Sequence, residues 1–200
     1  MTDWKLRLEL MINFPHTKKP AKCEPPTPRN YGGSRQGLTE TGVEFVERME
    51  ELGMIPDVSH ISDEGIEDML TLTKKPFVAS HSNARMLCPH PRNLTDDFLK
   101  RMGEKGCVIG ANFFSKFLRK DAKFSETAWI AEHILHMVNV AGIESVGLGS
   151  DYDGIGCGLE MSDCSKVQML AEELRCRGMS ESQIERVFYK NVLRLYKEIL

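Results

Sequence analysis

The sequence has no apolar run long enough to span a membrane, and it has no excess of basic residues. Asp3 and Glu9 interrupt the N-terminal region, where a secretory signal peptide needs a continuous apolar segment. The net charge of -3 provides no basic field that would attract phosphate groups. These absences predict a cytoplasmic protein that has no membrane segment and does not bind nucleic acid.

Cysteine motifs are lacking as well. The six cysteines are scattered, and none of them forms a Cys-x-x-Cys pair. A chain of 200 residues, 41% of them hydrophobic, can bury a core without disulfide bonds, so we expect reduced thiols. Cys157 and Cys164 flank a glycine-rich stretch, and metal binding by these two thiols is an alternative.

The sequence does contain a regular alternation of short apolar runs and amphipathic segments from about residue 37 onwards. Each apolar run ends in polar residues, which is typical of buried parallel strands. The predicted strands are residues 54–60, 76–81, 107–113 and 145–151. Helices are predicted after the cap residues Thr39, Ser62 and Thr95, and at about 126–140, 165–177 and 181–199.

This βα rhythm predicts an α/β protein with a parallel sheet. A complete (β/α)8 barrel takes about 250 residues, so four or five strands amount to roughly half of one. Residues 37–200 are the predicted partial TIM-like barrel. Residues 1–36 form an atypical N-terminal segment, in which a possible strand at 6–13 precedes a proline-rich loop.

The polar ends of parallel strands lie at one mouth of such a sheet, where barrels build their active sites. His60, His81, Asn112 and Asp151 would converge there. A histidine pair suits zinc, although a strand-end histidine can also be an ordinary satisfied polar group. Asp151 could ligate a metal or exchange protons, or simply belong to a turn.

Three further residues can be interpreted from their positions. Arg92 follows the His81 strand end by one short loop, where it could hold a carboxylate or act only as a solvated charge. His133 and His136 lie within an amphipathic helix, and we expect them to be structural.

Four motifs stand in a fixed order along the chain: Gly53-Met54-Ile55-x-Asp57-Val58-Ser59-His60, Ser80-His81-Ser82-Asn83-Ala84, Arg92-Asn93-Leu94-Thr95-Asp96 and Gly149-Ser150-Asp151-Tyr152-Asp153-Gly154. Together they resemble the motifs of the renal (membrane) dipeptidase family, from about Gly37 to the C-terminus. Members of that family are (β/α)8 barrels that hold two zinc ions bridged by a glutamate and hydrolyse dipeptides.

The resemblance implies that this chain is the C-terminal half of such a barrel. His60 and His81 would then bind the second zinc ion, and Arg92 would bind the free carboxylate of a dipeptide substrate. Asp151 would be catalytic and would also contact the substrate. The expected activity is zinc-dependent hydrolysis of the peptide bond in dipeptides.

The sequence departs from the family at the other metal. It contains no His-x-Asp, and no counterpart of the bridging glutamate is recognisable. We therefore expect a truncated dipeptidase whose missing ligands come from a homo-oligomer or from a complementing N-terminal chain. The alternative is a catalytically inactive fragment or binding module. An open half-barrel should also expose a strand edge and an apolar interior, which favours association or marginal stability.

Overall fold

The computed structural model describes residues 37–200. Three helices begin directly after the predicted cap residues Thr39, Ser62 and Thr95. Each cap side chain accepts a backbone N–H from the first turn of its helix, an interaction that stabilises a helix by about 1 kcal/mol. The three helices are α1 (Glu40–Glu51), α2 (Asp63–Leu72) and α3 (Asp96–Glu104).

The later helical segments agree with the predicted ranges and add detail. In chain order they are α4 (Ser115–Leu118), α5 (Thr127–Ala141), a 3-10 turn (Ile143–Ser145), a second 3-10 turn (Cys164–Lys166), α6 (Gln168–Cys176), α7 (Glu181–Glu185), a π-helical turn (Arg186–Lys190) and α8 (Asn191–Ile199). The predicted helix at 181–199 is thus interrupted by the π turn. Between residues 37 and 200, no helix combines the length and the apolar character that crossing a membrane requires.

The strands are β1 (Val78–Ala79), β2 (Val108–Ala111), β3 (Phe124–Ser125), β4 (Val146–Leu148) and β5 (Gly158–Leu159). Three of them form a parallel sheet in the order β1-β2-β4, as the βα rhythm predicts. These strands are shorter than predicted, and residues 54–60 contribute only a parallel bridge between Asp57 and Val78. A second, two-stranded parallel sheet, β3 with β5, was not predicted.

Helices cover both faces of the main sheet. Neighbouring residues of a strand point to opposite faces, and Ile109 belongs to the main core together with Ile134 of α5. Val108, on the other face, packs with Leu195 and Ile199 of α8 and is only 1% exposed. The face of the sheet that carries Val108 is therefore covered by α8.

Two polar side chains fix α8 against the sheet. The Asn191 amide donates to the carbonyl oxygens of Ile143 (2.6 Å) and Val146 (2.8 Å). The Arg194 guanidinium donates to the carbonyl oxygen of Gly106 at 2.7 Å, just before β2. These bonds tie α8 to the N-terminal ends of β2 and β4, opposite the edge that carries the candidate site.

Candidate active site

His60 and His81 meet at the carboxyl-terminal edge of the sheet. Their Nε2 atoms are 2.8 Å apart, and their ring centroids are 4.9 Å apart with the planes tilted by 60°. Both side chains are half-buried. The structure thus brings the predicted histidine pair together, with a ring nitrogen of each facing the other.

The surroundings of the two rings favour their neutral forms. Burial lowers the pKa of His60 to about 4, and the nearby Arg92 cation acts in the same direction. Burial also lowers the pKa of His81, although the Asp57 and Asp151 carboxylates oppose that effect. Both imidazoles are therefore neutral near pH 7, which is the protonation state that binds metal ions.

Arg92 lies beside the histidine pair. Its Nε donates to the carbonyl oxygen of Ser59 at 2.8 Å, and its Nη2 is 3.3 Å from His81 Nε2. Its guanidinium carbon also lies 5.5 Å from the centre of the Phe117 ring, a cation–π distance. The structure therefore places Arg92 in the mouth of the site, where a guanidinium can bind a carboxylate.

A second arginine, which the sequence did not distinguish, holds the loop that carries Arg92. The two Arg85 Nη atoms donate to the two carboxylate oxygens of Asp63 at 2.6 and 2.7 Å. Arg85 Nε donates to the carbonyl oxygen of Asn93 at 2.7 Å. This bidentate pair joins the start of α2 to the loop between His81 and Arg92.

Asp151 and Asn112 meet because they follow the paired strands β4 and β2. The Asn112 amide donates to Asp151 Oδ2 at 3.2 Å. Asp151 has a φ of 59°, a left-handed conformation that aspartate tolerates better than most residues do. A Cβ atom at Gly154 would lie 2.2 Å from Asp151 Oδ1, so the carboxylate uses space that a glycine leaves open.

His133 and His136 lie outside this mouth. His133 is 1% exposed, its Nδ1 accepts the Ala84 N–H at 3.2 Å, and its Nε2 is 3.1 Å from the Leu118 carbonyl oxygen. His136 Nε2 is 2.9 Å from Asp96 Oδ1. These contacts agree with the structural roles expected for both residues.

The metal donors within residues 37–200 are incomplete. No group of three or more His, Cys, Asp or Glu side chains in that range is placed to hold a metal ion. Cys157 and Cys164 therefore belong to no such group either. In a tetrahedral zinc site, bonds of about 2.0–2.1 Å separate two ligand nitrogens by about 3.3 Å. The His60–His81 pair at 2.8 Å would need to open by about 0.5 Å to reach that separation, so it fits two positions of such a site.

The fold is that of an α/β protein, and the candidate side chains lie at the carboxyl edge of its parallel sheet. The family model described as membrane dipeptidase (peptidase family M19) matches residues 12–200. The chain belongs to this family. The match begins at residue 12, whereas the resemblance carried by the four motifs starts at about Gly37.

Individual relatives agree with this assignment. An uncharacterised protein of Klebsiella pneumoniae is 37% identical over 166 residues, which cover 82% of this chain and 61% of the relative. An uncharacterised dipeptidase of Schizosaccharomyces pombe is 41% identical over 168 residues, covering 82% of this chain and 40% of the relative. The chain thus spans between two fifths and three fifths of the length of these relatives.

Solved structures give the same result for the fold. A metallopeptidase from Rhodobacter sphaeroides, liganded with a phosphinate mimic of the dipeptide L-Ala-D-Ala, superposes with a TM-score of 0.80 at 30% identity. The superposition covers 88% of this chain and 50% of that one. The predicted partial TIM-barrel-like α/β fold is confirmed.

Proposed function

We propose that this chain supplies one side of a zinc dipeptidase site and takes part in cleaving the peptide bond of dipeptides. The observation that carries the proposal is the convergence of three side chains: His60 and His81 face each other at 2.8 Å, and Arg92 lies 3.3 Å from His81. Two metal donors and one carboxylate-binding cation in one mouth suit a substrate with a free carboxyl terminus.

His60 and His81 are the residues that would hold the metal. Neutral imidazoles suit zinc better than magnesium or calcium, which prefer oxygen ligands. When bound, zinc supplies Lewis-acid polarisation of the scissile carbonyl. A zinc site needs at least three protein ligands, so the proposal requires donors from residues 1–36, from a second copy or from a separate N-terminal chain.

Arg92 would bind and orient the substrate. Its guanidinium can form two parallel N–H···O bonds with the terminal carboxylate of a dipeptide, which fixes the direction of the bound molecule. Because the same side chain lies beside His81, the bound carboxylate would hold the peptide bond near the histidine pair. A substrate lacking a free carboxylate would lose this contact.

Asp151 would act in proton transfer. Its carboxylate lies close enough to His81 to oppose the lowering of that histidine's pKa by burial, and the Asn112 amide donates to one of its oxygens. In hydrolysis it would take the proton of the attacking water and return it to the leaving amine, which is general base and then general acid catalysis.

A non-catalytic role is the second candidate, and a specific observation supports it. Residues 37–200 offer no group of three metal donors, so a chain that acquires no others would keep the fold without the catalytic activity.

For the location of the protein we propose the cytoplasm, because the five cysteines in the described region are all free thiols.

The zinc content of the purified chain tests the proposal. Purified, buffer-exchanged wild-type chain should retain zinc by elemental analysis, and the His81→Asn variant should lose it. His136→Asn is the matched control, because that histidine lies outside the mouth and should leave the zinc content unchanged. A wild-type content near zero would contradict catalysis by this chain alone and favour the inactive fragment.

A further inference from the structure

We infer that Asp57 and Ser80 are positioning residues that set the tautomer of His81, so that its Nε2 faces the site without a proton. This inference rests on the proposed function and deepens it, since an unprotonated Nε2 is the form of histidine that ligates a metal. Asp57 and Ser80 contact each other, and Ser80 contacts His81 at Nδ1 rather than at Nε2. Their effect is transmitted through the far side of the His81 ring.

The Asp57 carboxylate is saturated with hydrogen-bond donors. Its Oδ1 accepts the Ser59 N–H at 3.0 Å, the Ser59 hydroxyl at 2.8 Å and the Ser80 N–H at 3.0 Å. Its Oδ2 accepts the Ser80 hydroxyl. All four contacts use Asp57 as the acceptor, so both serine hydroxyl protons are committed to this carboxylate.

Proton counting then determines the state of His81. Ser80 Oγ lies 2.7 Å from His81 Nδ1. A serine hydroxyl carries one proton, and that of Ser80 points to Asp57. The remaining contact can form only if His81 Nδ1–H donates to Ser80 Oγ. A neutral imidazole with its proton on Nδ1 has none on Nε2.

The contacts on the other side of the ring agree with this assignment. His81 Nε2 faces Arg92 Nη2 at 3.3 Å, which can only donate, and His60 Nε2 at 2.8 Å. An unprotonated Nε2 accepts from both. The ring is also anchored through the backbone, because the His81 N–H donates to Ser59 Oγ at 3.0 Å.

Metal-ligating histidines usually donate their second ring N–H to a carboxylate, a carbonyl or a water, and this fixes the ring. Here the carboxylate acts through an intervening serine hydroxyl. The arrangement follows from the fold, since the bridge between Asp57 and Val78 places Asp57 beside the strand end that carries Ser80 and His81. His81 would therefore be oriented before any metal binds.

Nitrogen-15 NMR of histidine-labelled, metal-free, full-length chain tests the inference directly. We expect the His81 proton on Nδ1 in the wild type and in Ser80→Thr, which keeps the hydroxyl. Ser80→Ala should show a population protonated on Nε2. Ser59→Ala is the comparison variant: it removes a hydroxyl donor of Asp57 and the acceptor of the His81 N–H, but it leaves the Ser80 contact with Nδ1 in place, so the proton should stay on Nδ1. A wild-type His81 protonated on Nε2 would overturn the inference, whether or not any variant folds.

Zinc affinity, measured by competition with a chromophoric chelator, separates this inference from the proposed function. Loss of a residue that orients a ligand typically weakens metal binding about 10–100-fold, so Ser80→Ala should show such a loss and Ser80→Thr should stay close to wild type. If the wild type does not bind zinc, the proposed site fails and the NMR result alone decides on the tautomer. If Ser80→Ala keeps both the tautomer and the affinity, the positioning role is wrong and the metal site stands.

Discussion

The stability of the fold should depend on pH through His133. This ring is buried, its Nδ1 accepts the Ala84 N–H, and its Nε2 contacts the Leu118 carbonyl oxygen. Burial lowers the pKa of His133 to about 4. Protonation of Nδ1 would remove the acceptor for Ala84, which lies in the loop directly after His81.

The sign of the effect follows from the two pKa values. In the unfolded chain His133 titrates near its ordinary value of 6.5, and in the folded chain near 4. Between these values the unfolded state binds more protons, so the free energy of unfolding falls as the pH falls. The neutral ring contributes fully to the free energy of unfolding above pH 6.5, and this contribution is lost as the pH falls to about 4 and below. With these values one histidine costs about 2 kcal/mol at pH 5 relative to pH 8, and about 3 kcal/mol below pH 4.

His133→Gln isolates this contribution in urea unfolding curves recorded at pH 8 and pH 5. The variant is destabilised at both values, but it should lose about 2 kcal/mol less than the wild type over that interval. Between pH 7 and pH 8 the difference between the two proteins should stay constant. The lowered pKa values of His60 and His90 affect the wild type and the variant equally, so their contributions cancel in the comparison. Equal losses for variant and wild type between pH 8 and pH 5 would refute the reasoning.

Three substitutions test the packing and the chemistry of the site. Gly149→Ala should lower the free energy of unfolding by about 2–4 kcal/mol in urea titrations, because its Cβ would lie 1.9 Å from a backbone carbonyl oxygen, whereas the control Gly156→Ala has nothing within 4 Å. Gly154→Ala should displace the Asp151 carboxylate with little change in stability. It should then reduce the kcat of the proposed zinc-loaded site about tenfold or more. An unchanged kcat would argue against a role for that carboxylate. Arg92→Lys should raise KM for dipeptides about 10–100-fold and leave kcat nearly unchanged, because lysine cannot form the bidentate carboxylate contact; steady-state kinetics would show it, and an unchanged KM would contradict the assignment.

Local signals predicted the helices well and the strands less well. The hydroxyl caps Thr39, Ser62 and Thr95 determine helix starts through contacts within one turn, so the sequence alone locates them. Strand lengths depend on pairing with a distant segment. At 54–60 the backbone leaves the sheet after one bridge, and Asp57 binds side chains instead. The packing of α8 on the sheet is also non-local: the spacing of Leu195 and Ile199 indicates an apolar helix face, but it does not say which strand that face covers.

The candidate site shows the same division. The meeting of His60 and His81 could be predicted, because each is a polar residue at the end of an apolar run and parallel strands end at one edge. The roles of Arg85, Asp57 and Ser80 could not be predicted, because they depend on which atoms pair across the fold. Residue type and position identify the side chains that face the mouth, whereas the supporting contacts follow only from coordinates.

These supporting contacts bear on how the site could be completed. The bridge at Asp57 fixes the strand end that carries Ser80, the serine orients the His81 ring, and the Arg85–Asp63 pair fixes the loop that carries Arg92. Each of these interactions joins two residues of the described range 37–200, so they would support the proposed half-site from within that range. Preorganised groups lose less conformational entropy on binding. The missing ligands could come from residues 1–36 or from another chain. In either case, most of the conformational entropy lost on completing the site would be lost by the segment that supplies them.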